Sequence, residues 1–271
     1  MYPQGCEGSS PFIRTKNKTK DLNTPDSGFF LFRCSSDTGF IARRAMFRKD
    51  QPWISYLLRL VAHLDINLTL FAQSDERRRL MKLFLRSARE RRALLQPTEA
   101  CQLMLALSAV SEIPGDMAEV GAFRGGSAKL LASVAPQRTL HLFDTFEGLP
   151  EPGEKDSRLF RRGQYRASEA ELKDYLDGCN VRIYKGLFPG TAITLASQSF
   201  AFVHLDADLY QCTRDGLEFF YPRMQKGGII LAHDFAPRRE GVYRAFQEFF
   251  RERPEPVIEL TGNQAMIVKL G

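Results

Sequence analysis

Paired cysteines are missing from this 271-residue chain. Its five cysteines, Cys6, Cys34, Cys101, Cys179 and Cys212, are odd in number and scattered, with no Cys-x-x-Cys among them. That pattern argues against a disulfide framework and a cysteine zinc site, and suits a reducing compartment. Missing too is any apolar run long enough to span a bilayer. The longest, Trp53 to Phe71, is broken by Arg59, His63 and Asp65 and reads as an amphipathic helix. The opening Met1-Tyr2-Pro3-Gln4-Gly5-Cys6 has neither the charged nor the apolar region of a secretory signal. The expectation is a soluble cytoplasmic protein with no membrane partner. No internal repeat is found.

Two nucleotide signatures are absent as well. No Gly-Lys-Ser/Thr closes a Walker loop, and the spacing of the dinucleotide fingerprint is not met. A uniform excess of one charge is also lacking. Residues 1–95 hold 18 Lys/Arg against 9 Asp/Glu, whereas residues 96–271 hold 20 against 23. The net charge of +6 therefore belongs to the N-terminal third. A nucleic-acid enzyme would be basic around its cleft, so no nucleic-acid partner is expected.

What is present is a chain long enough for one large α/β unit with additions, at 44% hydrophobic content. Residues 1–50 open without periodicity and read as a mobile or peripheral segment. Phe29-Phe30-Leu31-Phe32 is an apolar cluster within them that could dock on the main body or on a second copy, which makes a homo-oligomer an open expectation. Residues 51–112 read as a helical addition or lid. Within it, Asp75 to Arg92 is strongly basic, with Leu80, Met81, Phe84 and Leu85 at helical spacing and Ala88 one turn on. That is a buried stripe with a solvated basic face, or alternatively a contact for an anionic substrate. A second helix is expected over Thr98–Val110, with Thr98 as its cap, Leu103, Leu105, Leu107 and Val110 largely buried, and Pro114-Gly115 stopping it.

From residue 113 short apolar runs alternate with helical patterns, the signature of a parallel sheet with helices on both faces. Strands are expected at Met117–Gly121, Thr139–Asp144, Val181–Lys185, Phe200–Leu205 and Gly228–His233, with Val257–Leu260 and Gln264–Lys269 completing seven. Helices fit Gly126–Val134, Glu169–Leu176, Thr213–Met224 and Gly241–Arg251. The stretch from Phe146 to Arg166 has no clean period and reads as a loop over the site.

Chemistry concentrates where strands end. Phe202-Val203-His204-Leu205-Asp206-Ala207-Asp208-Leu209-Tyr210 and Ile229-Ile230-Leu231-Ala232-His233-Asp234-Phe235 are apolar runs that stop in acid. Asp206 and Asp208, two apart, share a face if the backbone stays extended. Carboxylates so close raise each other's pKa unless a cation is present. The bland alternative is that they cap a following helix near Thr213. Upstream, Glu119-Val120-Gly121-Ala122-Phe123-Arg124-Gly125-Gly126-Ser127 leaves a strand and opens a helix. Gly121 permits the sharp exit, and Gly125 and Gly126 permit a ligand close to the backbone. Asp144 ends the next strand, where an acid accepts hydrogen bonds from ribose hydroxyls. The glycine spacing departs from that for NAD, and an acid before the turn suits a cofactor carrying an ammonium group, such as S-adenosylmethionine.

Glu119 to Ser127, Leu142-Phe143-Asp144-Thr145-Phe146-Glu147-Gly148-Leu149-Pro150, Lys185-Gly186-Leu187-Phe188-Pro189-Gly190-Thr191 and His204 to Tyr210 together resemble the macrocin O-methyltransferase family, in order and over roughly residues 90–250. The resemblance implies a Rossmann-like class I methyltransferase domain over 113–271. It also implies S-adenosylmethionine as methyl donor, a divalent cation (magnesium first, manganese as the alternative) and a glycosylated or polyol small-molecule acceptor. Read onto this chain, it sets the cofactor against Glu119, Gly121, Phe123, Ser127, Asp144, Gly186 and Asp206. The metal falls to Asp206, His233 and Asp234, and the base to Asp208. One departure stands out: similar enzymes often have Asp-Asp or Asp-Asn where this chain has His233-Asp234. His233 is thus open as a ligand for a softer ion, a second base, or a residue facing away. His204 and His141 read as packed core residues. Tyr165, Arg166, Tyr210 and Thr213 are weaker candidates to shape the acceptor pocket. Two alternatives are a nucleotide- or NAD-dependent sugar-modifying oxidoreductase and a non-catalytic S-adenosylmethionine-binding protein. An intact Asp206/Asp208/Asp234 set argues against the second.

Overall fold

A computed structural model of the chain describes residues 74–271. The segment 1–50, the Phe29–Phe32 cluster and the amphipathic helix expected over Trp53–Phe71 lie outside the described residues.

Helix α1, Asp75–Arg89, begins where the Ser74 hydroxyl accepts the Arg77 N–H at 3.2 Å. Asp75 and Glu76 in its first turn and Arg86 and Arg89 in its last complement the helix dipole. Its buried stripe is Leu80, Met81 and Phe84, while Leu85 is exposed; the basic residues form the solvated face. Helix α2, Pro97–Ala109, starts one residue earlier than expected, because Pro97 takes the first helical position and Gln96, not Thr98, is the cap residue. Leu103, Leu107 and Val110 are buried, but Leu105 is 37% exposed, so the apolar face is narrower than the sequence suggests.

Seven strands follow: β1 Asp116–Val120, β2 Leu140–Asp144, β3 Val181–Lys185, β4 Phe200–Leu205, β5 Met224–Ala232, β6 Ile258–Glu259 and β7 Ala265–Val268. Between them lie α3 Gly126–Val134, α4 Glu169–Tyr175, α5 Tyr210–Phe220 and α6 Glu240–Phe250. The strands lie side by side as β3-β2-β1-β4-β5-β7-β6. Pairs β1–β2, β1–β4, β2–β3 and β4–β5 are parallel, and β7 runs antiparallel to both β5 and β6. This is the expected Rossmann-like sheet with helices on both faces. Strand order reverses between β1 and β4, which places the ligand crevice outside their carboxyl ends.

Alternation along each strand separates two apolar layers. Met117, Leu142, Phe202 and Leu231 pack with Phe84 of α1, Leu103 and Leu107 of α2, Leu130 of α3 and Leu172 of α4. Helices α1 and α2 therefore belong to the core of the sheet domain. Ala118, Val120, Phe143, Val203 and Ile230 pack on the other side with Leu217 and Phe220 of α5 and Phe246 and Phe250 of α6. In this second layer Phe143, Phe188, Phe200 and Phe220 form an edge-and-stack ring cluster, with centroids 5.0–6.1 Å apart. Burying each such ring contributes about 1.5–3 kcal/mol. Among the described residues no helix is long and apolar enough to cross a membrane.

Candidate active site

A cavity of about 380 Å³ opens at the carboxyl ends of β1, β2, β4 and β5. Its walls include Gly121, Phe123, Ser127, Asp144, Gly186, Asp206, Asp208, His233 and Asp234; of the residues expected at the cofactor, the metal or the base, only Glu119 is not among them. Glu119 sits inside the sheet, fully buried, with Oε1 2.8 Å from His204 Nδ1. Expected at the cofactor, it stands off the cavity wall instead, because its position in β1 turns it into the layer shared with α2 and α3. His204 is the core residue expected, and so is His141, between Tyr184 and Asp116 at 3.0 Å each.

The β1–β2 end is built by backbone. Gly121 has φ +96°, and a Cβ there would stand 1.9 Å from the Asp206 carbonyl oxygen. The same junction is tied by Gly121 N–H to Phe143 O and by Asp206 N–H to Val120 O, both at 2.9 Å. Asp144 spans two turns: Oδ2 accepts the Phe123 N–H and Oδ1 the Phe146 N–H, each at 2.7 Å. Burial pushes its pKa up against the pull of those N–H groups, and the Glu119 charge adds to the rise. The glycines after Gly121 serve the chain more than a ligand. A Cβ on Gly125 would strike Leu172, and one on Gly126 would strike Ala93. Gly186, at φ +132°, does line the cavity, but its missing Cβ makes room for Thr191.

The β4–β5 end is built by side chains on unusual backbone. β4 stops at Leu205, and Asp208 has φ +58°, so Asp206 and Asp208 do not share a pleated face as an extended backbone would require. They converge because the chain turns. Neither caps the next helix: α5 begins at Tyr210, whose N–H is taken by Asp156 Oδ1 at 2.6 Å. Asp234, also at φ +58°, follows β5. With Phe123 and Tyr165, four non-glycine residues of positive φ line this one cavity. Such conformations cost about 1–3 kcal/mol each and gather where geometry matters more than stability.

Ligand atoms of Asp206, His233 and Asp234 lie within 4.8 Å of one another. His233 Nδ1 is 3.2 Å from Asp206 Oδ1 and 3.4 Å from Asp234 Oδ1; Nε2 is 3.2 Å from Glu99 Oε2. Burial would lower the His233 pKa, but the Asp206 charge and hydrogen bonds to Asp206, Asp234 and Glu99 hold it well above the usual imidazole range. Asp208 is shifted well above the carboxylate range by burial first, then by a shared hydrogen bond and charge repulsion with Asp234, and by Asp206. This crowding of negative charge, in a compact set of two carboxylates and an imidazole facing the cavity, fits a divalent cation.

A sequence profile of the macrocin O-methyltransferase (TylF) family matches residues 95–263. The chain belongs to that family. It is 32% identical over 143 residues to the demethyldecarbamoylnovobiocin O-methyltransferase of Streptomyces niveus, and 33% identical over 143 residues to an 8-demethyl-8-(2,3-dimethoxy-alpha-L-rhamnosyl)-tetracenomycin-C 4'-O-methyltransferase of Streptomyces olivaceus. Each match takes in 46% of this chain and 54% of the relative, so the chain spans about half the length of the curated relatives it matches. Among solved structures it is similar to the calicheamicin methyltransferase CalS11, with TM-score 0.58, 20% identity, and 86% of this chain and 99% of that one covered. The O-methyltransferase NovP gives TM-score 0.56 at 22% identity, covering 66% and 83%. At these identities the likeness shows a shared fold.

Within this macrocin O-methyltransferase fold, Tyr165 reaches the cavity and packs edge-on to Phe123 with centroids 6.1 Å apart. Arg166 instead turns to the Glu147 carbonyl, and Thr213 is buried away from the wall. Tyr210 lines a neighbouring cavity of about 460 Å³ that shares Pro150, Leu187, Phe188 and Cys212 with the first. Arg92, from the basic stretch, lines the main cavity and stacks on Tyr175 at 4.2 Å. Sequence reasoning missed Glu99, whose only local signal is its place three residues after Gln96 at a helix start.

Proposed function

We propose that the protein is an O-methyltransferase that moves a methyl group from S-adenosylmethionine to a hydroxyl of a sugar in a glycosylated natural product, with a divalent cation at Asp206, His233 and Asp234. The observation that carries this reading is the convergence of those three residues and Asp208 on one wall of a cavity whose other wall holds Asp144. S-adenosylmethionine supplies a methyl already activated on a sulfonium, so the protein's work is alignment and proton removal. A divalent cation would supply positive charge that lowers the pKa of a hydroxyl brought to the cluster.

Asp144, fixed by two backbone N–H groups, keeps acceptor capacity on both oxygens for the cofactor's ribose hydroxyls. Ser127 and the first turn of α3 offer polar groups beside it. Phe143 and Phe188, locked in the ring cluster, give an apolar floor that excludes water. Asp208 takes the acceptor's proton: it lines the cavity beside Asp206 and Asp234 but stands outside the three-residue cation set. His233, held among Asp206, Asp234 and Glu99, is suited to ligation rather than to base work. The neighbouring cavity beside Tyr210 is the place for the rest of the acceptor. The glycine spacing and the family both speak against an oxidoreductase.

The test is incubation of the protein with methyl-labelled S-adenosylmethionine and a panel of glycosylated natural products, read by mass spectrometry. A methylated sugar should appear, vanish with a chelator and return with magnesium or manganese. Full turnover in metal-free protein would sink the metal role. Cofactor binding without transfer to any glycoside would favour a non-catalytic binder.

A further inference from the structure

Glu99 is 1% exposed, does not line the cavity, and comes from α2 rather than from any strand end. It is held by three donors from three segments. Oε2 accepts the Gln96 N–H at 2.7 Å and faces His233 Nε2 at 3.2 Å, while Oε1 accepts the Asn263 N–H at 3.1 Å. The 262–263 turn closes so tightly on it that a Cβ on Gly262 would stand 2.6 Å from Oε1. Capping α2 accounts for the first of these bonds only. A capping glutamate needs neither complete burial nor an imidazole partner.

An ionised carboxylate only accepts hydrogen bonds, so the nitrogen facing Glu99 must carry a proton. Both Glu99 oxygens already accept a backbone N–H, which sets this carboxylate as an acceptor towards His233. Nδ1, the nitrogen beside Asp206 and Asp234, is then the one a cation would meet, with its lone pair freed as the cation displaces the proton there. Resting on the reading that this cluster holds a divalent ion, we propose that Glu99 is a positioning residue. It fixes the Nε2–H tautomer of His233, turns Nδ1 to the cation, and thereby makes an N,O-ligand site that favours a transition ion such as cobalt over magnesium. Magnesium prefers oxygen donors throughout, whereas imidazole suits later divalent ions. Carboxylates that orient a ligating histidine are typically worth roughly ten- to hundredfold in metal affinity.

The experiment is calorimetric titration of the metal-stripped full chain with Co²⁺ and, separately, with Mg²⁺, for wild type and Glu99→Gln. Thermal melts are taken in parallel. Wild type should bind Co²⁺ more tightly than Mg²⁺, and Glu99→Gln should lose roughly ten- to hundredfold in Co²⁺ affinity with a smaller change for Mg²⁺. A lower melting temperature with an unchanged Co²⁺/Mg²⁺ ratio means Glu99 only caps α2 and overturns the proposal. A second measurement needs no folded Glu99 variant. Histidine ¹⁵N NMR of the Zn²⁺-loaded wild type, with the His233 signals assigned by their loss in His233→Asn, should show Nδ1 on the metal and Nε2 protonated. Metal on Nε2, or His233 unaffected by Zn²⁺, overturns it. If wild type binds none of the three ions, the metal reading falls and this inference with it. Binding with magnesium preferred overturns the inference alone.

Discussion

At the β1–β2 end of the cavity a single carboxylate, Asp144, is clasped by two backbone N–H groups at 2.7 Å, and the tight spots are occupied by glycine. At the β4–β5 end Asp206, Asp208, Asp234 and His233 crowd together on backbone that has left the strand conformation, with Glu99 behind them. The first end is shaped by where the chain can go, the second by charges that would not gather without a reason. An arrangement of the first kind recognises a neutral diol or amide with little electrostatic strain. One of the second kind raises the Asp208 pKa by burial first and then by repulsion, the setting in which we propose a cation. The division of labour we propose for methyl transfer, cofactor on one side and proton removal on the other, follows this difference.

The comparison breaks most completely at the residue both ends share. A Cβ on Gly121 would meet the Asp206 carbonyl at 1.9 Å, and φ of +96° is strained for any L side chain. Gly121→Ala must push β1 and β4 apart where they pair. The expected loss exceeds about 4 kcal/mol, which lowers Tm by roughly 10 °C in a domain of this size. Differential scanning calorimetry measures it, and a wild-type melt would mean that the two strand ends are not rigidly joined.

A change confined to the charged end should spare the fold and strike the rate. Asp208→Asn keeps the shape and one acceptor oxygen but takes no proton at neutral pH. Single-turnover methylation with saturating cofactor and metal should slow by roughly 10²–10⁴-fold, beside near-normal metal affinity. If metal binding is lost as well, Asp208 belongs with the ligands and the base must be sought elsewhere.

The same contrast explains what could be read from the chain beforehand. Val181–Lys185, Phe200–Leu205 and Gly126–Val134 lie where the apolar pattern puts them, because strand and helix periods there are set by burial on the two faces. β5 begins earlier than expected, at Met224, since Gly227 and Gly228 sit inside the strand, the first against the Ile113 side chain and the second against neighbouring backbone. The acids at the strand ends are visible as abrupt breaks in apolar runs. Their convergence is not, because it depends on left-handed turns at Asp208 and Asp234 that asparagine-like residues adopt without a sequence marker. Glu119 shows the opposite case: a conspicuous acid before a glycine turn whose burial beside His204 no local pattern announces. Glu99 was hidden for a third reason. Its partner is His233, 134 residues away, and only the packing of α2 on the sheet brings them together.

The smallest expected effect sharpens the neutral end. Asp144→Asn removes one charged acceptor, a loss of about 1.5–3 kcal/mol, or roughly ten- to hundredfold, in S-adenosylmethionine affinity. Its pH dependence is finer still. Burial is the chief cause that raises the Asp144 pKa, so the protonated form is reached at higher pH than for an ordinary aspartate. A raised folded pKa means that this group's contribution to stability is complete below the unfolded value, near ~3.9, and is lost as pH rises through the folded value. Cofactor affinity should run the other way, because the ionised carboxylate offers its full set of acceptors only above that value. In the same acidic window, then, the wild-type protein without cofactor loses stability as pH rises while its affinity for S-adenosylmethionine grows, by at most about tenfold per pH unit. Subtracting the Asp144→Asn titration from the wild-type one isolates this group from the other acids. Parallel wild-type and variant curves for both quantities would take Asp144 out of the cofactor site and leave it as the clasp of two turns.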